Sequence, residues 1–183
     1  MTCFAAKEYK IIPTETYKIL RNCSGCGGKT VYHNTNKVRM NANGKQIDVW
    51  LIYQCSECKH TYNLPLRSRI NRRVLDKAEY EALLQNDQEI VYKYGLDRIL
   101  FQQNGAEIFK EPSYVLRYIG KGVGKNSMRF HNPYHLRIRY DKLISECFEV
   151  SRSKAKRILE TGVLSVNQLS DDEIVFNIDA QVL

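Results

Sequence analysis

Two Cys-x-x-Cys turns constrain this chain more than anything else in it. They are Cys23-Ser24-Gly25-Cys26, followed by Gly27-Gly28-Lys29, and Cys55-Ser56-Glu57-Cys58, followed by Lys59-His60. One such turn aims two thiolates at a common centre, and two turns supply the four soft ligands that tetrahedral zinc prefers. With all four positions filled by protein, the expected centre is closed: one structural zinc ion on Cys23, Cys26, Cys55 and Cys58, with no open position for chemistry. The 28 residues between the turns exceed the spacing of a compact two-turn site, and a hairpin insertion accounts for the excess. His60, two positions beyond Cys58, reads as a surface histidine. Binding free energy on the order of 10 kcal/mol or more becomes folding free energy for a lobe with little core. Cys3 and Cys147 have no partner in the sequence, and Cys147, on an apolar helix face, reads as a small core residue.

The flanking segments alternate as strands do. Tyr9 to Ile12 and Thr16 to Leu20 lead into the first turn, and Thr61 to Leu64 leaves the second. Val38-Arg39-Met40 and Gln46 to Gln54 flank Asn43-Gly44, the dipeptide that best suits a tight hairpin. Within the latter strand Ile47, Val49, Leu51 and Tyr53 share one face while Trp50 and Ile52 occupy the other, which predicts cover on both sides. Residues 1–66 are therefore read as a zinc ribbon. The character changes at Pro65: Arg67, Arg69, Arg72 and Arg73 follow. A helical pattern then begins at Asp76 with Ala78, Ala82 and Leu83, and another runs from Asp87 through Ile90, Val91, Tyr94, Ile99 and Leu100 to a stop at Asn104-Gly105, with Gly95 allowing an interruption. Residues 67–111 make a short helical middle segment.

Residues 112–183 read as a basic α+β part. Ser113 to Ile119 is a strand, and Gly120 to Asn126 a flexible basic loop; Ile119 and Asn126 stand where a phosphate-binding loop needs Gly and Ser or Thr, so nucleotide hydrolysis is rejected. His135 to Tyr140 is a strand or leads directly into a helix at Asp141, which carries Leu143, Ile144, Cys147 and Phe148. Ser151 caps a second helix that ends at Thr161-Gly162. Short strands at 163–166 and 173–178 complete the chain. The predicted class is α+β: an N-terminal zinc ribbon, a short helical middle segment and a basic C-terminal part.

Charge points to a partner. The formal net charge is +8, and the excess is local. Between Pro112 and Tyr140 stand Arg117, Lys121, Lys125, Arg129, Arg137 and Arg139 with no Asp or Glu, whereas eight acidic residues lie between Asp76 and Glu111. A local excess of cations suits a polyanion. No apolar run approaches the length of a membrane span, and Met1 to Lys10 lacks the apolar core of a secretory signal. These features place the chain in the cytoplasm, where paired cysteines bind metal in preference to forming disulfides. His33, His131 and His135 form no catalytic spacing, and no Ser-His-Asp set or carboxylate pair is adjacent in sequence. The expected function is non-catalytic binding of structured RNA. A protein-interaction adaptor built on the ribbon is the alternative, and an enzyme of unknown reaction the second. Tyr114, Tyr118, Phe130, Tyr134 and Tyr140 offer rings for stacking on bases, although interleaved aromatics equally describe a buried strand.

The stretch from Asp141 to Asn167, with Ser151, Arg152, Lys154, Lys156 and Arg157 at its centre, resembles the alpha-L RNA-binding motif of a small-subunit ribosomal protein, pseudouridine synthases and a tyrosyl-tRNA synthetase. That resemblance implies two helices and a hairpin presenting those five residues to tRNA or ribosomal RNA. Where the motif continues Val-Asn with Gly and a basic strand, this chain has Gln168 and then Asp171-Asp172-Glu173. Taken whole, the chain resembles an uncharacterised bacterial family, domain-of-unknown-function family 1062. The residues that carry the likeness are the paired cysteines, Val38 to Lys45, Asp48 to Cys55 and Ser151 to Gly162.

Overall fold

The computed structural model describes residues 5–170 and 172–178; Cys3 and Asp171 lie outside them, as do the side chains of residues 123–125. In chain order the strands are β1 (Ala5–Pro13), β2 (Lys18–Cys23), β3 (Gly28–Asn43), β4 (Gln46–Cys55), β5 (Thr61–Asn71), β6 (Glu107–Lys110), β7 (Tyr114–Lys125), β8 (Ser127–His131), β9 (Leu164–Ser170) and β10 (Glu173–Ile178). The helices are α1 (Lys77–Gln85), α2 (Gln88–Gly95), α3 (Arg98–Gln103), α4 (Tyr140–Phe148) and α5 (Arg152–Glu160). No helix among the described residues is long and apolar enough to cross a membrane.

Among the described residues strand makes up 49% and helix 26%, with the strands arranged as two five-stranded sheets of order β5-β4-β3-β2-β6 and β7-β1-β8-β10-β9. This overturns the expected α+β class with its short helical middle segment: the protein is mostly β. Three segments account for the difference. Gly120 to Lys125, read as a flexible loop, continues β7 and pairs with β1 through Gly120↔Glu8 and Lys121↔Lys7. Gly122 serves close approach, since a Cβ on it would meet Ala6 Cβ and Glu8 Cγ at 3.3 Å. Pro65 sits inside β5 opposite Trp50, and β5 is an edge strand, where a missing N–H leaves no ladder bond unmade. β6, unread in the sequence, pairs with β2.

The chain divides into two units, one spanning Glu15–Pro112 and the other built from the described residues of Met1–Thr14 and Ser113–Leu183. In the first, β4 alternates strictly: Ile47, Val49, Leu51, Tyr53 and Cys55 are buried, while Trp50 and Ile52 on the other face are half-buried. Phe101 from α3 fills the buried side between Tyr17 and Tyr53, edge-on to both at 5.5 and 6.1 Å. The hairpin loop is Gly44-Lys45, one residue beyond the expected Asn-Gly centre, with Gly44 at φ 62°, at the first central position where a type II′ turn takes glycine. The helical stretch from Asp87 to Asn104 is interrupted at Gly95 into two helices. α2 ends at Gly95, and Asp97 restarts the chain by accepting from the N–H groups of Ile99 and Leu100 at 3.0 and 3.1 Å.

In the second unit β1 lies between β7, antiparallel, and β8, parallel. Tyr9 to Ile12, expected beside the first cysteine turn, therefore belong to the other sheet. Tyr9 stacks on Phe130 at 5.5 Å, and Phe130 meets Phe176 at 4.9 Å. α4 contributes Leu143 and Ile144 to this core and α5 contributes Ala155, all fully buried. His135 to Arg139 is neither strand nor helix. Buried Asn132 holds its start, accepting from Leu136 N–H at 3.1 Å and donating to the Leu136 carbonyl at 2.9 Å.

Candidate functional site

One cysteine turn joins β2 to β3 and the other joins β4 to β5. Cys23 pairs with Gly28, and Tyr32 in β3 pairs with Cys55 in β4, so the register brings both turns to one end of the sheet. Their backbones repeat one another. Gly27 N–H donates to the Cys23 carbonyl at 2.9 Å, and Lys59 N–H donates to the Cys55 carbonyl at 3.2 Å. The donor residue is left-handed in both cases, Gly27 at φ 71° and Lys59 at φ 65°.

The four sulfurs lie within 4.8 Å of one another, the one such group of potential metal-binding side chains among the described residues. Cys23 Sγ is 3.4 Å from Cys58 Sγ and Cys26 Sγ is 3.8 Å from Cys55 Sγ. A tetrahedral ion with metal–sulfur bonds of about 2.3 Å places its sulfurs about 3.8 Å apart, so the cluster has the size that a metal site needs. Hydrogen bonding prepares Cys23 and Cys55 as anions. The Tyr32 hydroxyl, then the Cys58 thiol and the N–H groups of Cys26 and Gly25, hold the Cys23 thiol down at about 6. Thr30, whose Oγ1 lies 3.3 Å from Cys55 Sγ, lowers Cys55 with help from the N–H groups of Cys58 and Glu57. Cys26 is pushed up to about 12, first by its hydrogen bond with Cys58 and then by desolvation. Four adjacent sulfurs cannot all ionise unless a cation sits among them, and a divalent ion held there would supply that charge.

Cys23 and Cys55 are buried, whereas Cys26 and Cys58 are exposed. His60 is no part of the sulfur group: its Nε2 lies 3.2 Å from Ser24 Oγ and ties one turn to the other. Thr30 and Tyr32 were not singled out from the sequence. Their alternation in β3 puts both on one face, but only the β3–β4 register shows that this face carries the cysteines. Cys147 is half-buried on α4, and burial, then Glu146, pushes its thiol up to about 12.

The structure splits the basic residues into two groups. Arg129 is 2.8 Å from Glu173 and 3.8 Å from Glu8. Arg139 and Arg152 both clasp Asp141, at 3.1 and 2.9 Å, and Lys156 is 3.7 Å from Glu160. Arg117, Lys121, Arg137, Lys154 and Arg157 are exposed, with no ion pair among the described residues; the Lys125 side chain lies outside them. Ser151 caps α5 by accepting from Lys154 N–H at 3.3 Å. Of the five aromatic residues, Phe130 is fully buried, Tyr114, Tyr134 and Tyr140 are half-buried, and Tyr118 is exposed on the edge strand β7.

A family described as a protein of unknown function (DUF1062) matches residues 40–170. The chain belongs to that family. The span shared with DUF1062 contains Cys55 and Cys58, all five helices and β9, and begins after Cys23 and Cys26. No curated protein and no solved structure matches this DUF1062 chain.

Proposed function

We propose that this DUF1062 chain is a non-catalytic cytoplasmic zinc protein that binds structured RNA of the tRNA or ribosomal RNA class. Zinc is the metal because a tetrahedral set of four thiolates selects it among the common redox-inert ions, and its role is to close the strand ends. The observation that carries the RNA reading is α5. Ala155 is its buried residue, while Arg152, Lys154, Lys156 and Arg157 stand in solvent, on a helix preceded by α4 and followed by the β9–β10 hairpin. Asp141 fixes Arg139 and Arg152 in position, and Lys154 and Arg157 remain free to meet phosphates, which give affinity without sequence choice.

Binding to a folded tRNA measured across salt concentrations tests this. Affinity should fall linearly on a log–log plot, and replacing Lys154 and Arg157 together with Ala should reduce the slope by about 2 while leaving the melting temperature unchanged. Affinity that stays flat as salt rises sinks the RNA reading. For the metal, elemental analysis should find about one zinc per chain.

A further inference from the structure

The four sulfurs are unequally protected. Each buried one, Cys23 and Cys55, is shielded from solvent oxidants and receives a side-chain hydroxyl and two backbone N–H groups. Cys26 and Cys58 are exposed. The opposite turn approaches Cys58 through glycine: a Cβ on Gly25 would stand 2.8 Å from Cys58 Sγ, so only glycine lets the two turns come this close. Behind Cys58, at 3.4 Å, lies Cys23 Sγ from that same turn.

We propose that Cys58 is a site of oxidation by hydroperoxides and that Cys23 resolves it, giving a Cys23–Cys58 disulfide across the two turns and releasing the metal. The inference rests on reading the cysteines as a metal-bound thiolate centre. The Cys58 thiolate attacks the terminal oxygen of the hydroperoxide; an S–O bond forms, the O–O bond breaks, and the alkoxide or hydroxide that leaves takes a proton from water. The Cys23 thiolate then attacks the Cys58 sulfur of the sulfenic acid, forming the S–S bond and expelling hydroxide. Two thiolates lose two electrons in all, and the hydroperoxide gains them. With two of four ligands consumed, Cys26 and Cys55 alone no longer close the metal site.

Zinc-loaded full-length chain treated with hydrogen peroxide decides the matter, with metal release followed by a chromophoric chelator and disulfides mapped by peptide mass spectrometry. The metal equivalent should be lost in step with a Cys23–Cys58 disulfide, and a dithiol plus added zinc should reverse both. Cys23→Ser, which removes the resolving sulfur, should let a dimedone-type probe trap more Cys58 sulfenic acid than in the parent. A disulfide within one turn, metal loss without the cross-turn disulfide, or full retention of metal under excess peroxide each overturns the inference. Elemental analysis of the untreated sample separates the two readings. A metal-free sample sinks the zinc centre, while the disulfide map of that sample still decides whether Cys58 and Cys23 react as a pair.

Discussion

The unit Glu15–Pro112 and the unit carrying α4 and α5 gather polar groups by different means. In the first, strand register converges four sulfurs from positions 35 residues apart at the extremes, buries two of them and aims hydroxyl and N–H donors at those two. In the second, cations are plentiful, yet the fold pairs Arg129, Arg139, Arg152 and Lys156 with carboxylates. A cysteine cluster is specified by backbone geometry, whereas a basic surface is what remains after local ion pairing. Sequence spacing therefore reports the first far better than the second.

The sharpest way to break this comparison is to remove the proposed metal. Chelation, or Cys55→Ser, should destabilise Glu15–Pro112 by an amount approaching the roughly 10 kcal/mol of structural zinc binding. Hydrogen exchange should then show β2 to β5 losing protection while β1, β8 and β10 keep theirs. Loss in both sets would show that the metal supports more than its own unit. The reverse experiment is Asn132→Ala. It strips both side-chain bonds to Leu136 and should cost about 1–3 kcal/mol, read as a lower melting temperature with the zinc content unchanged.

Tyr32→Phe sharpens the comparison inside the metal site. It deletes the hydroxyl that bonds Cys23 while keeping the ring beneath Arg21, whose guanidinium carbon is 5.9 Å from the ring centroid. Partners of metal ligands typically contribute about 10–100-fold in affinity, so competition with a chromophoric chelator should show a loss of that order. An unchanged affinity would mean that the backbone N–H groups alone prepare the Cys23 sulfur.

How much was legible follows from the same contrast. The two turns, the 46–55 strand, the Ser151 cap and the stops at Gly105 and Gly162 depend on short-range geometry, and local residues revealed them. The placement of β1 in the second sheet depends on pairing with β7 and β8, partners more than 100 residues away, and no periodicity within Tyr9 to Ile12 encodes that. Gly122 misled because close strand packing and loop flexibility demand the same residue. The Thr30 and Tyr32 hydroxyls were invisible because their chemistry depends on register. Charge counting likewise exceeded the surface it described, since Asp141 and Glu173, distant or adjacent in sequence, neutralise arginines only in the folded chain.

The smallest effect tests whether the two cysteine turns are equivalent. Both need a left-handed residue after the second cysteine, and the first turn has Gly27 where the second has Lys59. A side chain in that conformation costs on the order of 1 kcal/mol, while glycine adds freedom to the unfolded chain and would forfeit the Lys59 Nζ bond to the Ser56 carbonyl at 2.9 Å. That bond is exposed and contributes little, so Lys59→Gly should raise stability by up to about 0.5 kcal/mol and Gly27→Ala should lower it by about 1 kcal/mol, both read from chemical denaturation of the zinc-loaded chain. If Lys59→Gly destabilises instead, the lysine bond holds the second turn, and the turns are alike in backbone only.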